Sequence, residues 1–482
     1  MLQTGMDPNS RLELSEDEMR ALARRVTDML VDHFLNVGGK PPTGGAGRAE
    51  METAFREPAP AAGRPIDEVL DRVARDVFPK GKYLTHPRFF PFVSSPSNFV
   101  SVMADALAAG FNTFAGTWYG SAAAAEIELV VIDWLRTEFG MPDAAGGLFT
   151  SGGSAANLIC LAAAREAKLD NDMTGAVVYA SDQTHTAIER SLKILGFRPA
   201  QYRKLASDAG LRLDMDELRA AVAEDRAAGR RPFCVVATPG TINSGAVDPL
   251  AELADYCAQE DLWLHADGAF GAGAAFCERG KRALDGLARV DSLSFDPHKW
   301  LFQPLEMGCA LVRDRKHLHA AFDVRPEYLR DVYRDEQEIN FCDYGYQLTR
   351  SFRSLKLWMS LQVFGRDAFA AAVERGFALA ETAEARLREM SGWTVVTPAQ
   401  MATLTFRAEP DGMSESEIDA HNDAIAARIR ADDFALAHTT LIRGRPVLRI
   451  CTINPRTTEA DIEQSLERWD RFNREIQQIR AS

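Results

Sequence analysis

The sequence predicts an α/β protein: a mostly parallel sheet with helices on both faces, preceded by an N-terminal helical segment and followed by a small α+β domain. Three observations carry this. Between about residues 145 and 315, short β-prone runs alternate with helical stretches, as parallel strands with crossover helices do. Beyond a long helical region at 349–390, the order becomes strand, helix, strand, strand, helix. At 482 residues the chain has room for about three domains. The expected division is 1–90 for the N-terminal docking segment, 91–365 for the large domain and 366–482 for the small one.

Each element has its own signal. Ser15 and Glu18 form a capping-box pattern ahead of Met19, Leu22, Val26, Met29 or Leu30, and Phe34, which share one helical face. That face needs a surface, either a partner subunit or the rest of its own chain. Residues 38–63, rich in Gly, Pro and Ala, read as a loop. Strands are expected at 176–179, 233–238, 262–265, 292–295 and 309–312, with helices at 158–168, 214–229 and 249–260. In the small domain, strands are expected at 394–396, 403–406, 435–437 and 447–453, and helices at 417–430 and 459–479.

Composition excludes several roles. The net charge of −14 argues against a nucleic-acid binder, which needs a basic surface. Residues 99–135 are the most apolar stretch, yet Asp105, Asn112, Glu126, Glu128 and Asp133 interrupt them, so no membrane span is expected. The first residues lack the basic-then-apolar order of a signal peptide. Seven dispersed cysteines without a CxxC read as reduced thiols, and the expected location is cytoplasmic.

Ligands of open α/β sheets bind beyond the carboxyl ends of the strands. The residues just past the expected strand ends are His185, then Thr241, then Asp267 with Ala269, then His298 and Lys299. Upstream, Thr150-Ser-Gly-Gly153-Ser154 opens a helix, where free amides and the helix dipole favour an anion. Its spacing fits neither the Walker pattern nor GxGxxG, but suits a monophosphate. A phosphate site, a carboxylate, an imidazole and a lysine on one sheet edge point to pyridoxal 5'-phosphate. No metal is expected. Lys299 alone would read as a surface lysine, and only the constellation gives it a role.

Asp296-Pro-His298-Lys299-Trp300, His265-Ala-Asp267-Gly-Ala269-Phe270 and Ser181-Asp-Gln-Thr-His185 resemble the group II pyridoxal-phosphate-dependent amino-acid decarboxylases. The similarity extends over roughly residues 15–475, through the TSGGSAAN segment, Phe352-Arg-Ser-Leu-Lys356 and Val447-Leu-Arg449-Ile. It implies a fold type I enzyme working as a homodimer, with active sites at the interface. It implies Lys299 as the Schiff-base lysine, Asp267 at the pyridinium nitrogen and His185 stacked on the ring. Gly153 and Ser154 would hold the phosphate, His298 would lie near the cofactor, Ala269 under the ring, and Thr241 would donate a hydrogen bond. Ser95 and Arg449 fall where relatives contact substrate.

The implied reaction converts an L-amino acid to its amine and carbon dioxide. Phe89, Phe90, Phe92, Trp118 and Tyr119 favour an aromatic substrate, whereas Arg449 would equally suit an acidic one. Relatives protonate the product from a loop tyrosine. Residues 328–347 are the corresponding stretch, with Tyr344 the first choice over Tyr328, Tyr333 and Tyr346. Aldehyde-synthase relatives carry phenylalanine in that role, and Phe341 lies in the same stretch. An acid at 296, where some relatives have asparagine near the phosphate, is expected to turn away or to bind through its backbone.

Overall fold

A computed structural model describes residues 12–481 apart from 325, 326, 328–331, 334 and 336. Seven strands form the large sheet: β1 (Gly146–Thr150), β2 (Ala176–Ser181), β3 (Tyr202–Leu205), β4 (Arg231–Ala237), β5 (Trp263–Asp267), β6 (Ser292–Phe295) and β7 (Gly308–Val312). Their spatial order is β1-β7-β6-β5-β4-β2-β3. The run β6-β5-β4-β2-β3 is parallel, and β7 runs antiparallel to both its neighbours. The expected parallel sheet with helices on both faces is therefore present.

Both faces are buried, which explains the near-continuous apolar runs of the central strands. Successive residues still serve different cores. Val177, Tyr179, Val235, Leu264 and Leu293 pack on one face. Val178, Ala180, Cys234, Val236 and Ala310 pack on the other. Each fully buried aliphatic side chain contributes about 1.5–3 kcal/mol relative to exposure.

Two strands escaped the sequence reading. β1 carries two glycines at its start, and β3 (Tyr-Arg-Lys-Leu) is a short edge strand with charged residues at its centre. The segment at 38–63 is not all loop: Arg48–Phe55 is helical, with Arg48 Nε donating to Glu52 one turn on at 3.0 Å. The long helical region is two helices, Ser354–Phe364 and Arg366–Glu389, broken at Gly365, whose φ of 77° an L-residue rarely adopts.

The second sheet comprises β8 (Trp393–Gln400), β9 (Thr403–Ala408), β10 (His438–Ile442) and β11 (Arg445–Cys451). Its order is β10-β11-β9-β8, all antiparallel. The strand expected at 435–437 is displaced to β10, because Leu436 instead forms an isolated parallel bridge with Phe89. Trp469 closes this core against Phe90 and Phe406.

The opening helix, Glu16–Asn36, has the expected capping box at Ser15 and Glu18. Phe34 packs edge-on against Phe99 and lies under Arg456. Leu22, Met29 and Leu30 of that face are half-buried, while Met19 and Val26 are exposed.

Candidate active site

The carboxyl ends of β2, β4, β5 and β6 converge with the turn after β1 around one cavity of about 310 Å³. Of the residues singled out from sequence, Gly153, Ser154, His185, Asp267, Ala269, His298 and Lys299 all line it.

The anion end is the start of the 17-residue helix Gly153–Leu169. The first amides of a helix have no intrahelical acceptor, so they face whatever occupies the cavity. Gly153 is required there. A Cβ at this position would lie 2.9 Å from Ala269 Cβ and 3.0 Å from Asp296 Oδ2.

Asp267 ends β5. Its Oδ1 accepts from Ala269 N–H at 3.3 Å and Ser294 Oγ–H at 3.2 Å, which fixes the plane of the carboxylate. Two residues back, His265 is fully buried between Ser292 Oγ (2.9 Å) and Asn157 Oδ1 (2.8 Å). Burial pushes its pKa down to about 4, so it is a neutral strut. His185 caps the helix Thr186–Ile194, with Nδ1 accepting from Ala187 N–H at 3.2 Å. That bond holds the imidazole over the cavity.

Lys299 and His298 lie on the short helix Pro297–Trp300 between β6 and β7. His298 Nδ1 lies 2.7 Å from Met307 O, and burial lowers its pKa. Lys299 Nζ is 2.9 Å from Asp296 Oδ2. Asp296 therefore neither turns away nor acts only through its backbone: its side chain points into the site. Its Oδ1 is buried without a hydrogen-bond partner.

Four other expected residues are placed elsewhere. The Thr241 hydroxyl pairs with Ser244 Oγ at 2.9 Å; past β4 it is Thr238, not Thr241, that lines the cavity. The Thr238 amide donates at 2.7 Å to buried Asp248, whose pKa burial raises to about 6. The Ser95 hydroxyl donates to the backbone oxygen of His298. Arg449, on β11, donates to Phe92 O at 2.6 Å, next to cavity-lining Val93. Tyr344 packs into the apolar core around Leu148 and Ile159, edge-on to Phe341. Tyr328 lies outside the described residues. Sequence reasoning missed Thr238 and Gln183 as lining residues, and placed Asp296 near the phosphate but expected its side chain to turn away. Gln183 lies inside the Ser181–His185 motif and Thr238 three residues before Thr241, so both were within reach of the sequence.

Residues 49–409 match the pyridoxal-dependent decarboxylase conserved domain. The chain belongs to the pyridoxal-dependent decarboxylase family. It is 44% identical over 458 residues to an aromatic-L-amino-acid decarboxylase of Bacillus atrophaeus, covering 95% of each chain. It is 28% identical over 465 residues to a phenylacetaldehyde synthase of Arabidopsis thaliana, covering 94% of this chain and 95% of that one. A TDC of Oryza sativa solved with PLP and tryptamine superposes with a TM-score of 0.92 at 29% identity, covering 98% of this chain and 99% of that one.

This decarboxylase is thus a pyridoxal-phosphate-dependent carboxy-lyase acting on an amino acid. Its cavity fits the cofactor on its own terms. It offers a cradle that one Cβ would fill, an amine at bonding reach of the interior and a fixed carboxylate on a separate strand. Among the described residues, no helix is long and apolar enough to cross a membrane.

Proposed function

We propose that this decarboxylase converts an aromatic L-amino acid to the corresponding amine and carbon dioxide. The observation that carries the reading is the single cavity onto which Lys299, Asp267, His185 and the Gly153–Ser154 helix start all open. The 44% identity to the Bacillus enzyme supports an aromatic substrate. So does Phe92, half exposed and packed at a tilt against His438 beside cavity-lining Val93.

Lys299 would hold the cofactor covalently, and the first amides of helix Gly153–Leu169 would hold its phosphate. Asp267 would favour a protonated ring nitrogen, and His185 and Ala269 would contact the ring. Bound there, pyridoxal phosphate supplies the electron sink into which the Cα–carboxylate bond breaks. The chain's contribution is orientation of the reacting groups. His298, neutral through burial and tied to Met307, keeps the Lys299 helix in register. Ser95 and Thr241 act as positioning residues, through His298 and Ser244 respectively. Arg449 positions residues 92–93 and does not meet substrate directly.

A tyrosine of residues 328–347 returns the proton to Cα. Tyr344 is a poor donor, because burial in an apolar core raises its pKa and turns it from the cavity. Phe341 is fully buried beside it, so its presence does not favour aldehyde formation.

The enzyme works as a homodimer with the active site at the interface. An apolar cavity of about 1020 Å³, lined by Val26, Met29, Leu30, Leu70, Val77 and Phe78 of the N-terminal segment, supports this. We divide the chain into residues 1–90, 91–365 and 366–482; that the two sheets occupy separate stretches of sequence supports the boundary at about 365. The seven free cysteines, six of them buried, suit the cytoplasm.

The test is direct. Purified protein should show visible cofactor absorption that Lys299→Ala abolishes. Offered an amino-acid panel, it should release carbon dioxide and amine from an aromatic member. Aldehyde, ammonia and peroxide would instead establish the synthase reaction, and turnover of glutamate alone would establish an acidic substrate.

A further inference from the structure

Asp296 is the one residue of the cavity whose chemistry conflicts with the ligand the cavity is built for. It is 2% exposed, and its two oxygens differ. Oδ2 lies 2.9 Å from Lys299 Nζ and 3.7 Å from His298 Nε2, while Oδ1 has no partner. Oδ2 also lies 3.0 Å from where a Cβ of Gly153 would be, which places the carboxylate at the foot of the phosphate cradle.

The backbone prevents escape. Asp296 N–H donates to Ala269 O at 3.2 Å, and Asp296 O accepts from Lys299 N–H at 2.9 Å. An ionised carboxylate here faces a phosphate dianion at close range in a water-poor site, and like charges so placed cannot both persist.

Nothing nearby offsets that repulsion once cofactor is bound. Lys299 is the only lysine or arginine among the described residues lining the cavity, and it becomes committed to the cofactor. On the same short helix, His298 is held neutral by burial. Across the cavity, Asp267 adds a further negative charge and His185 caps its own helix. From β7, Cys309 faces Asp296 with its thiol pushed well up by burial, so it carries no charge. Lys356 is engaged by Asp105 (3.3 Å) and Glu306 O (3.0 Å).

We propose that Asp296 is a proton-carrying ligand of the cofactor phosphate: ionised and paired with Lys299 in the cofactor-free protein, protonated and donating to a phosphate oxygen when the cofactor is seated. Cofactor loading then takes up one proton at this site, on Oδ2, the oxygen beside Gly153 that Lys299 gives up. This rests on the reading of Gly153 and Ser154 as the phosphate cradle. It makes Asp296 a positioning residue whose asparagine variant is a permanent mimic of the protonated acid.

The experiment is calorimetric titration of cofactor-free protein with pyridoxal 5'-phosphate, in two buffers of different ionisation heat, for wild type and Asp296→Asn. Protons exchanged on the cofactor are common to both proteins and cancel in the difference, and the same pair of titrations in a Lys299→Ala background removes the contribution of the lysine, whose partner the substitution deletes. Wild type should take up about one proton more than the variant near pH 7.5. Its dissociation constant should rise, relative to the variant's, by about tenfold per pH unit above that. Equal proton counts would overturn the proposal. Should Asp296→Asn not fold, Asp296→Ser, which also lacks the titrating group, must give the same difference.

Gly153→Ala separates the two readings. It should weaken pyridoxal 5'-phosphate at least about tenfold more than it weakens unphosphorylated pyridoxal, whose ring also meets the displaced Ala269. Equal proton counts together with that selective loss would sink the Asp296 proposal and leave the cradle standing. No selective loss would remove the cradle, and the proposal with it.

Discussion

Asp225 and Asp296 are both acids buried in the large domain, 1% and 2% exposed, yet they are treated in opposite ways. Asp225 is saturated. Tyr179 donates to it at 2.6 Å, and Arg203 and Arg230 each donate at 2.9 Å. Asp296 has one charged partner, Lys299, and an oxygen with none. An unpartnered oxygen alone does not mark a functional acid, since buried Glu128, paired with Arg350, also has one; Asp296 differs in lining the cavity as well.

The sharpest way to break that contrast is at the third acid, Asp267, which is fixed through one oxygen as a ligand-facing group should be. Asp267→Ala should lower kcat at least about a hundredfold, measured by carbon dioxide release, with the melting temperature little changed. Loss of folding without a kinetic defect in the remaining native protein would place Asp267 with Asp225 instead. Asp225→Ala should do the reverse. Stripping Arg203, Arg230 and Tyr179 of their shared acceptor should cost about 3–5 kcal/mol in denaturant unfolding, with the cofactor absorption of the folded protein intact.

His265 gives a smaller, pH-dependent effect. Its imidazole titrates near 6.5 when unfolded and near 4 when folded, because burial disfavours the charged form. The unfolded chain therefore binds the extra proton between those values. The stability His265 contributes is complete above about pH 6.5 and is lost as pH falls toward 4, by at most about 3 kcal/mol. His265→Gln should flatten that part of the stability profile, read by urea midpoints across the range. The smallest effect is expected at Tyr344→Phe, which should leave the ratio of amine to aldehyde product unchanged. A shift toward aldehyde would restore Tyr344 as the proton donor.

Much of the site was legible in the sequence because strand-end motifs and strand order are linked. His185, Asp267 and Lys299 come after three apolar runs, and a parallel sheet must bring such positions to one edge. What was illegible depended on local geometry without a pattern. Arg48–Phe55 hides between glycine and proline stretches, and β3 has too few apolar residues to alternate. Leu436 bridges to Phe89, a contact remote in sequence that shifts the adjoining strand by three residues. At the site, Thr241 and Thr238 are equally plausible on paper, and only the turn between Pro239 and Val247 decides which hydroxyl faces inward. The acid at 296 was read as a misfit because its oxygen count could not be seen.

The antiparallel course of β7 has an engineering consequence. Residues 296–307 leave β6 and return by β7 at the same pole, with Phe295 directly opposite Cys309 in register. Lys299, His298 and Asp296 thus ride on one hairpin-like cassette whose two anchors already touch. Such a unit can be exchanged whole between related scaffolds, carrying reactive amine, imidazole and acid together, without rerouting any crossover helix.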